Sequence, residues 1–242
     1  MKLLKNAQAV YQVVRAVAQA KPSRDKIDAA REAGDFELER KLISDACKTW
    51  ADKLVRDYDM HVSVINPEFM PTFGPCVYVC NHQSYLDVVA FYSIIQTQVG
   101  FVAKDAFKKI PFFKSWLIRI RCIFINRGNP RSALETMNLG VSYLEDGFNM
   151  VIFPEGTRGR GKEMKTFKPG SFKLATKSGA PIIPVSINGT YKVYEGPGVI
   201  TRGEEMSFTF HEPIPTAGLS RTELLELPKK CEEIIKKDVI TG

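Results

Sequence analysis

From Met60 onward, short β-rich runs alternate with helical stretches, and this alternation limits the possible folds more than any other feature of the chain. The predicted strands are 61–65 (HVSVI), 76–80 (CVYVC), 100–103 (GFVA), 122–125 (CIFI), 150–153 (MVIF), 182–187 (IIPVSI) and 207–211 (SFTFH). Helical patterns fall at about 84–96, 105–119, 131–146, 170–178 and 220–237. Strands separated by helices predict an α/β domain with a mixed, largely parallel sheet flanked by helices. Ligands of such sheets sit beyond the carboxyl ends of the strands. Asn81-His82, Lys104, Arg127 and Glu155-Gly156 each follow a predicted strand.

Residues 1–60 read differently. Leu3, Ala7, Val10, Val14 and Val17 recur at spacings of three and four, and Leu4, Tyr11 and Ala18 widen the stripe. That is the pattern of an amphipathic helix, which Pro22 and Ser23 are expected to end. A second helix is predicted over about 36–58, with Leu38, Leu42, Ala46, Trp50, Leu54 and Tyr58 at spacings of four. The chain therefore divides into an N-terminal amphipathic helical element, 1–60, and an α/β domain, 61–242.

A net charge of +7 points to an anionic partner: a phosphorylated substrate, nucleic acid or an acidic membrane surface. The five cysteines are odd in number and form no C-x-x-C pair, which fits a reduced, cytosol-facing protein. His61, His82 and His211 lie far apart in sequence, so no metal site is expected. No apolar run approaches the roughly 18 residues of a membrane span. The first twenty residues end in Ala-Gln-Ala like a cleavage site, but Gln8, Gln12 and Arg15 break the apolar stretch that a signal peptide needs.

Two stretches carry the chemistry. In CNHQSYLD, His82 and Asp87 are five residues apart. On one continuous helix they would lie about 140° apart. They meet only if His82 is in the loop and Asp87 in the first turn of the next helix, with Ser84 as N-cap. Ser84-x-x-Asp87 then also resembles a capping box, and Asp87 is able to serve both purposes. A histidine backed by a carboxylate is a general base. There is no G-x-S-x-G nucleophile elbow, and Cys80 lies on a buried-looking strand as a packed thiol. A base without a protein nucleophile suggests activation of a substrate hydroxyl.

The other stretch is VIFPEGTRGRGKE, 151–163. Gly156, Gly161 and Lys162 match G-x-x-x-x-G-K, but a nucleotide P-loop needs Ser or Thr next, where this chain has Glu163. Weight moves to Glu155-Gly156-Thr157-Arg158 as a phosphate clamp. Arginine suits that task through bidentate, charge-assisted bonds. Arg160 and Lys162 are read as surface charges. The segments 104–131 and 158–177 are both rich in Lys and Arg, mostly as solvated surface.

Together these elements resemble the 1-acyl-glycerol-3-phosphate acyltransferase family. NHQSYLD is similar to its N-H-x-x-x-x-D block, IFINR to its second block, FPEGTR to its third and IIPVSI to its fourth, in that order, over about residues 60–215. The resemblance implies that His82 deprotonates the glycerol hydroxyl of a lysophospholipid and Asp87 orients the imidazole. The hydroxyl oxygen then attacks the thioester of acyl-CoA or acyl carrier protein. Lys104, Arg127 and Arg158 would bind the acceptor phosphate, with Glu155, Gly156 and Thr157 shaping the site. No metal or bound cofactor is implied. The expected partners are membrane lipids, lysophosphatidic acid and the acyl donor, with no nucleic acid. In this family a two-helix element can seat the enzyme on the membrane, and basic residues outnumber acidic ones in 1–31. The expected place is thus the cytoplasmic face of the cell membrane, peripheral and without a spanning helix. Three positions depart from the family pattern: Arg121 stands where Gly often precedes the second block, Asp105-Ala106-Phe107 follows Lys104, and Gly159 replaces a common Ser. Those near Lys104 and Arg121 bear, on this reading, on which headgroup is accepted.

Overall fold

A computed structural model describes residues 14–15, 18, 21–72, 74–126, 128–196 and 198–240. The first amphipathic helix expected from the sequence lies mostly outside the described residues. All seven predicted strands are present: β1 (His61–Ile65), β2 (Val77–Cys80), β3 (Val99–Lys104), β4 (Ile123–Ile125), β5 (Asn149–Ile152), β6 (Ile182–Asn188) and β7 (Glu205–Phe210). They form one sheet in the order β1-β7-β6-β2-β5-β3-β4. Every pairing is parallel except β6 with β7, as expected for a mixed, largely parallel sheet.

The central strands β2, β5 and β6 are buried along their whole length. Burial on both faces explains why they read as apolar runs rather than alternating ones. Pro184 in β6 looks out of place, since proline donates no ladder bond. The pairs Ile182–Ile214 and Val185–Phe210 differ in register by one residue, which marks a bulge around Pro184. A bulge is where a sheet tolerates proline.

Helices cover both faces: α1 (Lys21–Glu32), α2 (Phe36–Asp57), α3 (Leu86–Ile94), α4 (Pro111–Arg119), α5 (Pro130–Glu145), α6 (Lys173–Ser178), the single turn α7 (Thr190–Val193) and α8 (Arg221–Lys236). One core joins α2 and α3 to the sheet through Ile43, Trp50, Leu54, Tyr78, Phe91 and Phe208. On the other face Met137, Leu174, Leu227 and Ile235 cover Val79, Met150 and Ile152.

Pro22 and Ser23 lie in the first turn of α1, where a proline costs little, and the end of the first expected helix falls outside the described residues. Two expectations need correction. The inward stripe of α2 is not a strict run of fours. Leu38 is 44% exposed, whereas Glu39, Ile43, Cys47, Trp50 and Leu54 are buried. Four residues turn about 400°, so a strict run of fours drifts off one face, and the true stripe mixes threes with fours. The stretch 105–119 breaks at Ile110, whose backbone is extended, into a 3-10 turn (Asp105–Lys109) and α4. A residue before proline disfavours helical geometry, and Pro111 follows.

Candidate active site

Parallel strands bring the chemistry-bearing loops to one end of the sheet. His82 leaves β2, Phe153 to Arg158 leave β5, Lys104 ends β3, and Thr190 follows β6. The neighbouring Asn81 ties two of these ends together. Its side chain accepts from Ile187 N at 2.7 Å and donates to Ile187 O at 2.9 Å, pinning β2 to β6.

His82 and Asp87 meet as the loop-then-helix geometry required. Nδ1 of His82 lies 2.6 Å from Oδ2 of Asp87, at the first turn of α3. The same oxygen accepts the backbone N–H groups of Gln83 at 2.8 Å and Ser84 at 3.1 Å. Oδ1 accepts the hydroxyl of Thr190. Asp87 is fully buried, and these donors converge on its carboxyl group beside the imidazole. It thus serves both purposes, positioning the histidine and capping the loop. Ser84 caps this turn as expected: its hydroxyl accepts from Leu86 N at 3.0 Å and its N–H donates to Asp87, while Tyr85 after it already has helical backbone angles.

In the tautomer whose Nδ1 donates to Asp87, Nε2 carries the free lone pair. The ring stacks on Phe153 with centroids 4.0 Å apart, which fixes its plane. The main chain of His82 is equally constrained. Its N–H donates to Glu155 Oε1 at 2.7 Å, and its carbonyl accepts from Gly159 N at 2.7 Å. Gln83 O accepts from Arg160 N at 3.2 Å, so the loops after β2 and β5 are laced together. The other oxygen of Glu155 accepts from Lys165 N at 2.8 Å. Glu155 is buried and bound to main chain, so it shapes the loop that carries His82. Burial raises its pKa, opposed by these backbone donors.

Arg158 lies in the same cluster. Its guanidinium stacks over Tyr85 at 3.5 Å and donates from Nη1 to Glu195 Oε1 at 2.7 Å. Glu195 also accepts from the Ser84 hydroxyl and from Tyr85 N at 3.1 Å. Glu195 and Thr190 were missed in the sequence. Both lie just past the IIPVSI run, and their only sequence signal is a hydroxyl and a carboxylate following a strand end.

The remaining sequence-predicted residues are less tightly tied. Lys104 is exposed at the end of β3. Gly156 takes φ +72°, the left-handed turn that glycine favours, and Thr157 beside it is exposed. Arg127 lies outside the described residues. Arg160 and Lys162 are exposed, as expected of surface charges. No helix follows β5 until α6, so the strand–loop–helix frame of a nucleotide P-loop is missing. Cys80 is fully buried and its thiol pKa is pushed well up by burial, which makes it a packing group. A second Ser-His-Asp grouping, Ser186, His211 and Asp238, is no relay. Serine and aspartate both approach Nε2, at 2.8 and 3.7 Å, and Ser186 is buried.

Arg121 does not belong to this site. It precedes β4, at the opposite end of the sheet, with φ +62°. Its guanidinium pairs with buried Glu39 at 2.6 Å and lies 4.4 Å from the Phe148 ring centroid. Its departure from the family glycine therefore bears on packing and not on headgroup choice. Among the described residues no group of three or more His, Cys, Asp or Glu side chains is arranged to hold a metal ion. No described helix is long and apolar enough to cross a membrane.

Residues 61–188 match the family model described as Acyltransferase, more than half of the chain. A 1-acyl-sn-glycerol-3-phosphate acyltransferase of Borreliella burgdorferi is 30% identical over 73% of this chain and 71% of its own length. The chain belongs to the 1-acyl-sn-glycerol-3-phosphate acyltransferase family. A putative 1-acyl-sn-glycerol-3-phosphate acyltransferase of Caenorhabditis elegans, acl-2, is 31% identical over 73% of this chain. The chain spans only 63% of that acyltransferase's length. The crystal structure of the 1-acyl-sn-glycerophosphate (LPA) acyltransferase PlsC from Thermotoga maritima superposes with a TM-score of 0.73 at 26% identity. The match covers 98% of this chain and 95% of that acyltransferase.

Proposed function

We propose that the protein transfers a fatty acyl group from an acyl thioester to the free hydroxyl of 1-acyl-glycerol-3-phosphate, making phosphatidic acid. The observation that carries this reading is the His82–Asp87 contact of 2.6 Å, which leaves Nε2 as the proton acceptor. Nε2 takes the hydroxyl proton as the oxygen attacks the thioester carbon. Asp87 stabilises the imidazolium that forms. The tetrahedral intermediate collapses, the carbon–sulfur bond breaks, and the imidazolium returns its proton to the departing thiolate. The thiol belongs to coenzyme A or acyl carrier protein. Proton transfer of this kind contributes about 10²–10⁴ in rate.

Arg158 binds the acceptor phosphate on this reading, assisted by Lys104 and Arg127. Glu195 and Tyr85 hold the guanidinium from one edge and one face. The family membership and the excess of basic residues in the sequence of 1–31 support a peripheral seat on the cytoplasmic face of a membrane. The test is turnover of lysophosphatidic acid with an acyl thioester, comparing the wild type with His82→Ala. Loss of turnover at unchanged thermal stability is expected; undiminished turnover removes His82 as base. Because the base acts only while neutral, turnover also falls on acidification, and a flat profile with chemistry rate-limiting contradicts the assignment.

A further inference from the structure

The segment between β3 and β4 presents an unusual surface. Ile110 is 51% exposed and Ile118 41% exposed, although both belong to a segment anchored by buried Trp116. Lys114 is exposed between them at spacings of four, and Lys104 and Lys109 are exposed beside them. Lys108 is engaged with Asp105 at 2.7 Å, so it adds less to the local charge. The result is an apolar ledge flanked by exposed ammonium groups.

Ring contacts join this ledge to the active site. Arg158 stacks on Tyr85, Tyr85 meets Phe107 edge-on at 6.4 Å, and Phe107 stacks on Phe113 at 6.1 Å. Tyr85 is itself 50% exposed. On its other side the ledge borders a groove of about 460 Å³ between α1 and α4, lined by Asp28, Arg31, Lys114 and Ile118. The ledge thus runs from the N-terminal helices to the arginine assigned to the acceptor phosphate.

We propose that this ledge, from Lys104 to Ile118, docks on an anionic lipid surface, with Ile110 entering the apolar layer and Lys109 and Lys114 at the headgroups. The proposal rests on the acyltransferase reading above. Branched aliphatics at the centre with lysines at the rim match the layering of a lipid interface. An acidic protein would use the same lysines, but the aromatic path favours lipid. The ledge carries apolar side chains from that arginine outward, so a lipid surface met by Ile110 lies beside the mouth of the site and not within it.

The test uses the full-length chain, as wild type, Ile110→Glu and the double variant Lys109→Glu/Lys114→Glu. Binding is measured to phosphatidylcholine vesicles with and without phosphatidylglycerol. Turnover is measured on a short-chain lysophosphatidic acid that stays monomeric, and thermal midpoints check the fold. Ile110→Glu is expected to weaken vesicle binding by about tenfold or more, the effect of withdrawing one isoleucine from an apolar layer. The lysine variant is expected to remove the preference for anionic vesicles. Thermal midpoints and monomeric turnover stay unchanged. Wild-type vesicle binding in both variants overturns the proposal. So does an acidic protein whose binding needs the lysines while vesicle binding does not. A wild type inactive on the monomeric acceptor counts against the acyltransferase reading, and the vesicle measurements still decide the ledge.

Discussion

Two clusters of buried charge sit at opposite ends of the sheet, and they differ in what they leave open. At the amino end, Glu39 is fully buried between two arginines, with Arg31 and Arg121 each 2.6 Å away. Arg121 is further enclosed by the rings of Phe148 at 4.4 Å and Tyr143 at 4.8 Å. Burial alone would lower its pKa, but hydrogen bonds and charge from Glu39 outweigh that and raise it. At the carboxyl end, Asp87 is just as buried, yet one of its partners is a histidine with a second nitrogen. The first cluster saturates its members and locks helices to the sheet. The second engages Asp87 and Glu195 but, among the described residues, gives Nε2 of His82 no hydrogen-bond partner.

The largest effect that tests this contrast is His82→Ala. It should lower turnover by about 10²–10⁴ while leaving the urea midpoint close to wild type. Comparable loss of stability and of activity would erase the distinction between the clusters. Glu39→Ala is the mirror experiment. It strands a buried arginine and should cost about 3–5 kcal/mol in urea unfolding, with activity per folded molecule retained. Stability within 1 kcal/mol of wild type, in the range of an exposed pair, would show that the amino-end cluster is not what holds the helices.

Smaller changes sharpen the active end. Arg158→Ala should raise KM for lysophosphatidic acid about tenfold, equivalent to about 1.4 kcal/mol, with a lesser change in kcat. An unchanged KM would remove Arg158 from phosphate binding. The smallest effect concerns His211, whose pKa is lowered chiefly by burial, against the raising influence of Asp238. The unfolded chain then binds a proton that the folded chain resists. Stability from this group is present above the unfolded imidazole range and is lost as pH falls below about 6.5. His211→Gln should flatten the pH dependence of the urea midpoint there, and an unaltered slope would contradict the assignment.

The sequence exposed more of the fold than of the site. Buried parallel strands read as apolar runs because both faces are covered, so all seven strands were visible. His82 and Asp87 were visible because both lie in one loop and turn. Glu195 was not, because it reaches Ser84 and Tyr85 across 110 or more residues through a segment with no periodic signal. Glu39 was hidden for a different reason. A carboxylate in a helix reads as solvent-facing until its arginine partner, 82 residues away, is brought against it. The departure at Arg121 was visible in the sequence, but only its place at the far end of the sheet separates a packing role from a binding one.

One detail bears on how freely this site can vary. The bonds from Gly159 N to His82 O and from Arg160 N to Gln83 O are made by main chain alone. A Cβ added at Gly159 would meet its nearest neighbours at 3.5 and 3.6 Å, ordinary contact distances. The lacing of the two loops therefore does not depend on which side chain stands at 159. A serine or a glycine there supplies the same amide, so drift at this position leaves the His82 loop where it was.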